Sequence, residues 1–192
     1  MKKLLVLASA LLIVSSCAQE DLRPSDILPI DGLLTSDQID AKALELLQEH
    51  QEFWWDMVDD NTVWSAAMQS DSIISVGYTL TDVSPIDNRL HELNMEDNQW
   101  RAKRKAILKY VLKRTQELNP DMNVTIDDVM AFDEKILPVL DFRIWNKEII
   151  TELRQREDVR YVDPMGYSMA PDKTPQKSGS GCGSNTGDNN IP

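Results

Sequence analysis

The groups in this sequence that could do chemistry are two cysteines, two histidines, many carboxylates and one serine in a small-residue setting. Cys17 and Cys182 are too few for a four-cysteine zinc site or a disulfide-stapled fold. His50 has no second ligand four residues away, and two histidines do not make a His-rich metal centre. Ser168 could act as a nucleophile only with a histidine base and an orienting carboxylate. It lies in linker-like sequence, with no scaffold to hold an oxyanion hole. Paired carboxylates are plentiful, but an acidic surface supplies them by chance, and no apolar pocket that would raise one pKa is legible. The expectation is a chain with no catalytic residue, no metal and no cofactor of its own.

Composition narrows the class further. The chain has 192 residues, 20 Lys+Arg against 32 Asp+Glu, a net charge of -12 and 42% hydrophobic residues. That suits one modest core plus extensions. The acidity argues against nucleic acid, whose backbone is held by Lys and Arg that displace counterions. The one dense basic cluster is Arg101, Lys103, Arg104, Lys105, Lys109, Lys113 and Arg114. It reads as a solvated helix face balancing acidic neighbours, the alternative being contact with a membrane surface.

The N-terminus has the plan of an export signal. Lys2 and Lys3 precede an apolar run, Leu4 to Val14, too short to span a bilayer as a permanent helix. Val14-Ser15-Ser16-Cys17 resembles the lipobox of bacterial lipoproteins. That resemblance implies cleavage after residue 16, acylation of Cys17 and attachment to a membrane through its lipid. Gln19-Glu20-Asp21 resembles the acidic export tag of surface lipoproteins of Bacteroidota, which implies an exported protein at the outer membrane or cell surface. Without residues 1–16 the chain has 18 Lys+Arg against 32 Asp+Glu, or -14. Residues 17–34 read as a tether with Pro24, Pro29 and Gly32. Residues 168–192 are rich in Gly, Ser, Asn and Pro and read as a flexible linker. The expectation is that a further domain normally follows, or that the chain is a truncated product.

Between these ends the pattern is that of an α+β domain. Thr35 to Gln38 fits a capping box, and Ile39, Ala43, Leu46, Leu47, Phe53, Trp54 and Met57 recur at helical spacing. One amphipathic helix is therefore predicted within 35–60, running over about 36–58. Trp54-Trp55 reads as core and rim, with a sugar platform as the alternative. Residues 59–72 read as mostly polar. Ile74, Val76, Tyr78 and Leu80 alternate with polar or small residues, as in a half-buried strand. A turn or short helix over 86–95 precedes a long helix from about Asp97 to Leu118. Short strands follow at Val129–Phe132 and around Leu140–Ile144. Asn146 can cap a short helix carrying Ile149, Ile150 and Leu153, and Val159–Asp163 forms the last strand, with Pro164 as its stop. Strand, helix, strand, strand, helix, strand predicts a ferredoxin-like, four-stranded antiparallel sheet with two helices on one face, preceded by an extra N-terminal helix. That plan hosts many functions.

The run Ile149 to Asp163, IITELRQREDVRYVD, resembles the end of subtilisin-family propeptides: a helix ending in Leu, a few polar residues, then Val-x-Tyr-Val-Glu/Asp. Pro164-Met165-Gly166-Tyr167 and the later Gly181-Cys182-Gly183 resemble the junction in lipoprotein subtilisin-like proteases of Bacteroidota. The likeness covers 73–167 and leaves the N-terminal helix without a role. It implies that the α+β domain, about 70–167, is a chaperone and temporary inhibitor of a subtilisin-like serine protease domain, in cis or in trans. The outer face of the sheet would pack on surface helices of the protease, with Asp163 at a helix N-terminus. Pro164 and Met165 depart from the acids that often follow. The resemblance assigns protease contact to Tyr161, Asp163, Met165, Gly166 and Tyr167, with Met165 to Ala170 as the stretch that would enter the substrate cleft. Gly166-Tyr167-Ser168-Met169-Ala170-Pro171 is also similar to the nucleophile motif Gly-Thr-Ser-Met-Ala-x-Pro, with Tyr for Thr and no spacer before Pro. No matching His or Asp motif accompanies it. A free-standing surface lipoprotein that binds a protein or glycan is the alternative reading.

Overall fold

The computed structural model describes residues 32–80 and 86–169. The signal segment, Cys17, the tether up to Asp31, residues 81–85 and the tail from Ala170, with Cys182, lie outside the described residues.

Helix α1 (Ser36–His50) begins at the predicted capping box. Thr35 Oγ1 accepts from Gln38 N at 3.3 Å, and Gln38 Oε1 accepts from Thr35 N at 2.8 Å. The expected continuous helix to about Val58 does not form. Gln51 takes the left-handed conformation, φ 63°, and its N–H donates to Leu47 O at 3.0 Å, which closes α1 at His50. A single 3-10 turn spans Trp55–Met57.

A second helix, α2 (Asp60–Met68), occupies the stretch read as mostly polar. Asp59 caps it by accepting from Thr62 N at 2.9 Å. Val63, Ala66, Ala67 and Met68 are buried on it, and its small residues let neighbouring elements approach closely. Strand β1 (Ile73–Tyr78), a 3-10 segment (Asp87–Glu92), helix α3 (Asn98–Leu118) and a one-turn helix α4 (Ile126–Val129) come next. Strands β2 (Met130–Phe132) and β3 (Val139–Arg143), helix α5 (Lys147–Arg154) and strand β4 (Val159–Pro164) complete the order. Asn146 precedes α5, but its side chain caps nothing; its Oδ1 accepts from Asn119 Nδ2 at 2.6 Å, tying the end of α3 to the start of α5.

The sheet order is β2-β3-β1-β4, with every neighbouring pair antiparallel. The architecture is α+β and ferredoxin-like, with the additional helix at the N-terminus. Pro164 is the last residue of β4, paired with Ile74. It is tolerated because β4 is an edge strand and the missing N–H faces outward.

Ile74 and Val76 face Phe142, Leu140 and Val162 across the ladders, so these five share one side of the sheet. They form one core with Ile107 and Val111 of α3, Ile149, Ile150 and Leu153 of α5, and Val63, Ala67 and Met68 of α2. Each large aliphatic chain buried there contributes about 1.5–3 kcal/mol. The expected two-helix layer is thus joined by α2. Polar groups tie its outer side together. Arg114 donates to both oxygens of Glu152, at 2.9 and 2.6 Å, and Tyr110 donates to Glu152 at 2.5 Å. Burial and the Glu152 carboxylate push the Tyr110 phenol up to about 12.

Candidate functional site

The same registers place Ser75, Gly77, Asp141, Arg143, Tyr161 and Asp163 on the side of the sheet away from the helices. Ser75 lies between Asp141 and Asp163, and its hydroxyl donates to Asp141 Oδ1 at 2.5 Å. Phe132, opposite Asp141 on β2, is 52% exposed, and Ile136 and Leu137 are exposed in the β2–β3 connection. This face therefore joins a polar centre to the apolar Phe132 at its β2 edge.

At the β4 edge the Tyr161 ring lies against Gly77. A β-carbon at position 77 would sit 2.2 Å from Cε1 of that ring. Glycine is needed here for close approach. The Arg160 guanidinium is 5.2 Å from the centroid of the same ring.

A hook made by residues 53–58 reaches this edge. Trp55 meets Phe53 edge to face at 5.1 Å and Tyr167 at 5.7 Å, which fixes its indole between two rings. Arg154 of α5 holds the hook in place. It donates to Asp60 Oδ1 at 2.8 Å, to the Asp56 and Val58 carbonyls at 2.9 Å, and to the Trp55 carbonyl at 3.3 Å. The result is a groove of about 630 Å³ lined by Trp54, Trp55, Asp56, Arg160, Tyr161 and Asp163. Trp54 is 62% exposed at its rim. Asp163 is half-buried. Burial first, then the Asp56 carboxylate, push it up to about 6, with Arg154 pulling the other way. Among the described residues, neither the Asp56 nor the Asp163 carboxylate has a hydrogen bond or an ion pair.

The five residues expected to touch a partner fall into two groups. Tyr161 and Asp163 stand in the groove. Met165, Gly166 and Tyr167 instead fasten the end of β4 to the domain itself. Met165 N donates to Ile73 O at 2.8 Å, and Met165 O accepts from Ser70 Oγ at 2.8 Å. Gly166, at φ +81°, turns the chain beside Asp71. The Tyr167 hydroxyl donates to Asp40 of α1 at 2.8 Å, and burial together with that carboxylate raises its pKa. The chain is therefore tied to the domain as far as Tyr167.

Sequence reasoning missed that Trp54, Trp55 and Asp56 join Tyr161 and Asp163. The nearest signal was the Asp59 cap, which shows that one helix cannot run through this stretch.

The other candidates lie elsewhere. Ser168 is exposed, and its hydroxyl donates to Met169 O at 3.5 Å. His50 and His91 lie beside Glu49 and Glu92, at 3.7 and 3.9 Å. Several cations of α3 find carboxylates within the fold: Lys103 with Asp158, Arg104 with Asp133, Lys113 with Glu117, Arg114 with Glu152. Among the described residues no group of three His, Cys, Asp or Glu could hold a metal ion. No helix among them is long and apolar enough to cross a membrane.

No protein-family model, curated protein or solved structure matches this chain.

Proposed function

We propose that this chain is the prodomain of a subtilisin-like serine protease, a folding assistant and temporary inhibitor anchored as an exported lipoprotein through Cys17. The observation that carries the reading is the strand order β2-β3-β1-β4 together with the position of Val159-Arg160-Tyr161-Val162-Asp163 as its last strand. Tyr161 and Asp163 then face away from the helices, on the side that the resemblance would turn toward a protease. Exposed Phe132, Ile136 and Leu137 support a protein-contacting face. The half-buried Asp163 has the charge that a helix N-terminus favours.

The docked positions of Met165, Gly166 and Tyr167 refine the proposal. The cleft-binding strand is then the segment from Ser168 onward, and Tyr167 is the anchor that sets where it leaves the domain. The N-terminal helix α1 gains a role, because Asp40 holds that anchor.

The test mixes the purified chain from Cys17 with a subtilisin-like catalytic domain from the same source. Slowed peptide hydrolysis and faster refolding at micromolar concentration are expected. No effect on either overturns the proposal. The alternative, a free-standing surface lipoprotein binding a protein or glycan, draws support from the exposed Trp54 beside Trp55. Glycan capture lost on Trp54→Ala, with no effect on the protease, would select it.

A further inference from the structure

The groove at the β4 edge has an uneven chemistry that the prodomain reading does not use. Its walls are the Trp54, Trp55 and Tyr161 rings, and its charges are two carboxylates, Asp56 and Asp163, against one guanidinium, Arg160. Aromatic faces attract cations through their quadrupoles. Two nearby carboxylates without a partner among the described residues repel one another until a cation separates them. Arg160 already rests on Tyr161 at 5.2 Å from its centroid, so one wall of the groove already carries a guanidinium on a ring face. The walls are preformed: Gly77 makes room for Tyr161, Phe53 and Tyr167 brace Trp55, and Arg154 ties down the hook.

We propose that this groove takes an arginine side chain presented by a protein partner, its guanidinium stacked against Trp54 and Trp55 and its N–H groups directed to Asp56 and Asp163. Arginine suits the site better than lysine because a planar fork can stack on a ring and serve two carboxylates together, whereas an ammonium is a compact point charge. An anionic side chain adds to the negative charge of the pair, and a neutral one brings no further counter-charge to it.

The inference goes beyond the prodomain reading and is tested without a protease. N-acetyl-arginine amide is titrated into the full chain while the indole N–H signals of Trp54 and Trp55 are followed by NMR. Saturable shifts with a Kd of about 1–10 mM are expected for so small a ligand. N-acetyl-lysine amide should bind several-fold more weakly and N-acetyl-norleucine amide should give no saturation. Trp54→Ala and Asp163→Asn should each weaken arginine binding at least about fivefold, the scale of one lost cation–π or charge contact. Trp54 is exposed, so its replacement leaves the fold intact. Equal binding of the norleucine amide, no saturable shift with arginine, or saturation by an oligosaccharide in place of arginine overturns the assignment. A chain that binds the arginine amide but does not inhibit a protease loses only the prodomain reading.

Discussion

The Tyr161 ring lies across Gly77 of the neighbouring strand, so near that a β-carbon there would meet Cε1 at 2.2 Å and Cζ at 2.5 Å. An edge-strand aromatic thus covers a central-strand glycine, and the same Tyr161 lines the groove with Trp54 and Asp163. Neither residue has its meaning alone. Glycine weakens a strand unless something must pass close to it, and Tyr161 could not lie flat over a side chain.

Gly77→Ala should therefore drive the Tyr161 ring off the sheet. The ring is the movable end of a half-exposed edge side chain, so the cost is its cross-strand contact, about 0.2–1 kcal/mol. The double variant Gly77→Ala with Tyr161→Ala should recover part of that loss, because the clash is gone. Urea denaturation of the four species of the cycle measures the coupling. Strictly additive effects would show that ring and glycine do not interact.

Arg154→Ala removes a partner from the Asp60 carboxylate and from three carbonyls of the hook. The Arg154 side chain is only 18% exposed, so groups left unpaired there are costly. The expected loss is about 2–4 kcal/mol. Arg154→Lys should restore only part of it, since an ammonium cannot copy the planar fork. The near-ultraviolet signal of Trp55 against Tyr167 should fall in both variants. An unchanged denaturation midpoint for Arg154→Ala would mean that the hook is held by other contacts.

Asp163 should give stability an unusual pH dependence. Its folded pKa, about 6, lies above the ordinary 3.8. The native state therefore binds more protons than the unfolded state between about pH 4 and 6, and stability falls as pH rises through that window. A carboxyl this open to solvent keeps only part of the ideal linkage, about 1 kcal/mol. Asp163→Asn should stabilise the chain by about that amount above pH 7 and flatten the slope. Below about pH 4 the trend reverses. Asp59 is held at about 2 because its bonds to Lys42 and Thr62 outweigh the effect of burial, and its contribution is lost as the pH falls toward that value. Denaturation midpoints across the pH range measure both limbs. A wild-type slope retained in Asp163→Asn would locate the titration in another group.

The ferredoxin-like order was legible because each element carries its own period: alternation at Ile74 to Tyr78 and at Leu140 to Ile144, helical spacing from Trp100 to Leu118, and Ile149, Ile150 and Leu153 before the last strand. These are local signals, and right-handed crossovers leave few ways to assemble them. The break after His50 was not legible. It depends on Gln51 accepting a left-handed backbone, a position usually marked in sequence by Gly or Asn and here carrying neither. Helix α2 was hidden because its buried side chains, two Ala, one Ser and one Thr with one Val and one Met, give a weak hydrophobic pattern.

The sequence by itself therefore determined the fold class, the strand that carries Tyr161 and Asp163, and the face on which both lie, since strand alternation follows from covalent geometry. Only the tertiary structure decided what those residues meet. Trp54, Trp55 and Asp56 come from a segment about a hundred residues earlier, brought to β4 by the carbonyl bonds of Arg154. Tyr167 is likewise held by Asp40, 127 positions away. Contacts at such separations leave no periodic trace in the chain, because they depend on where helices dock and not on local spacing.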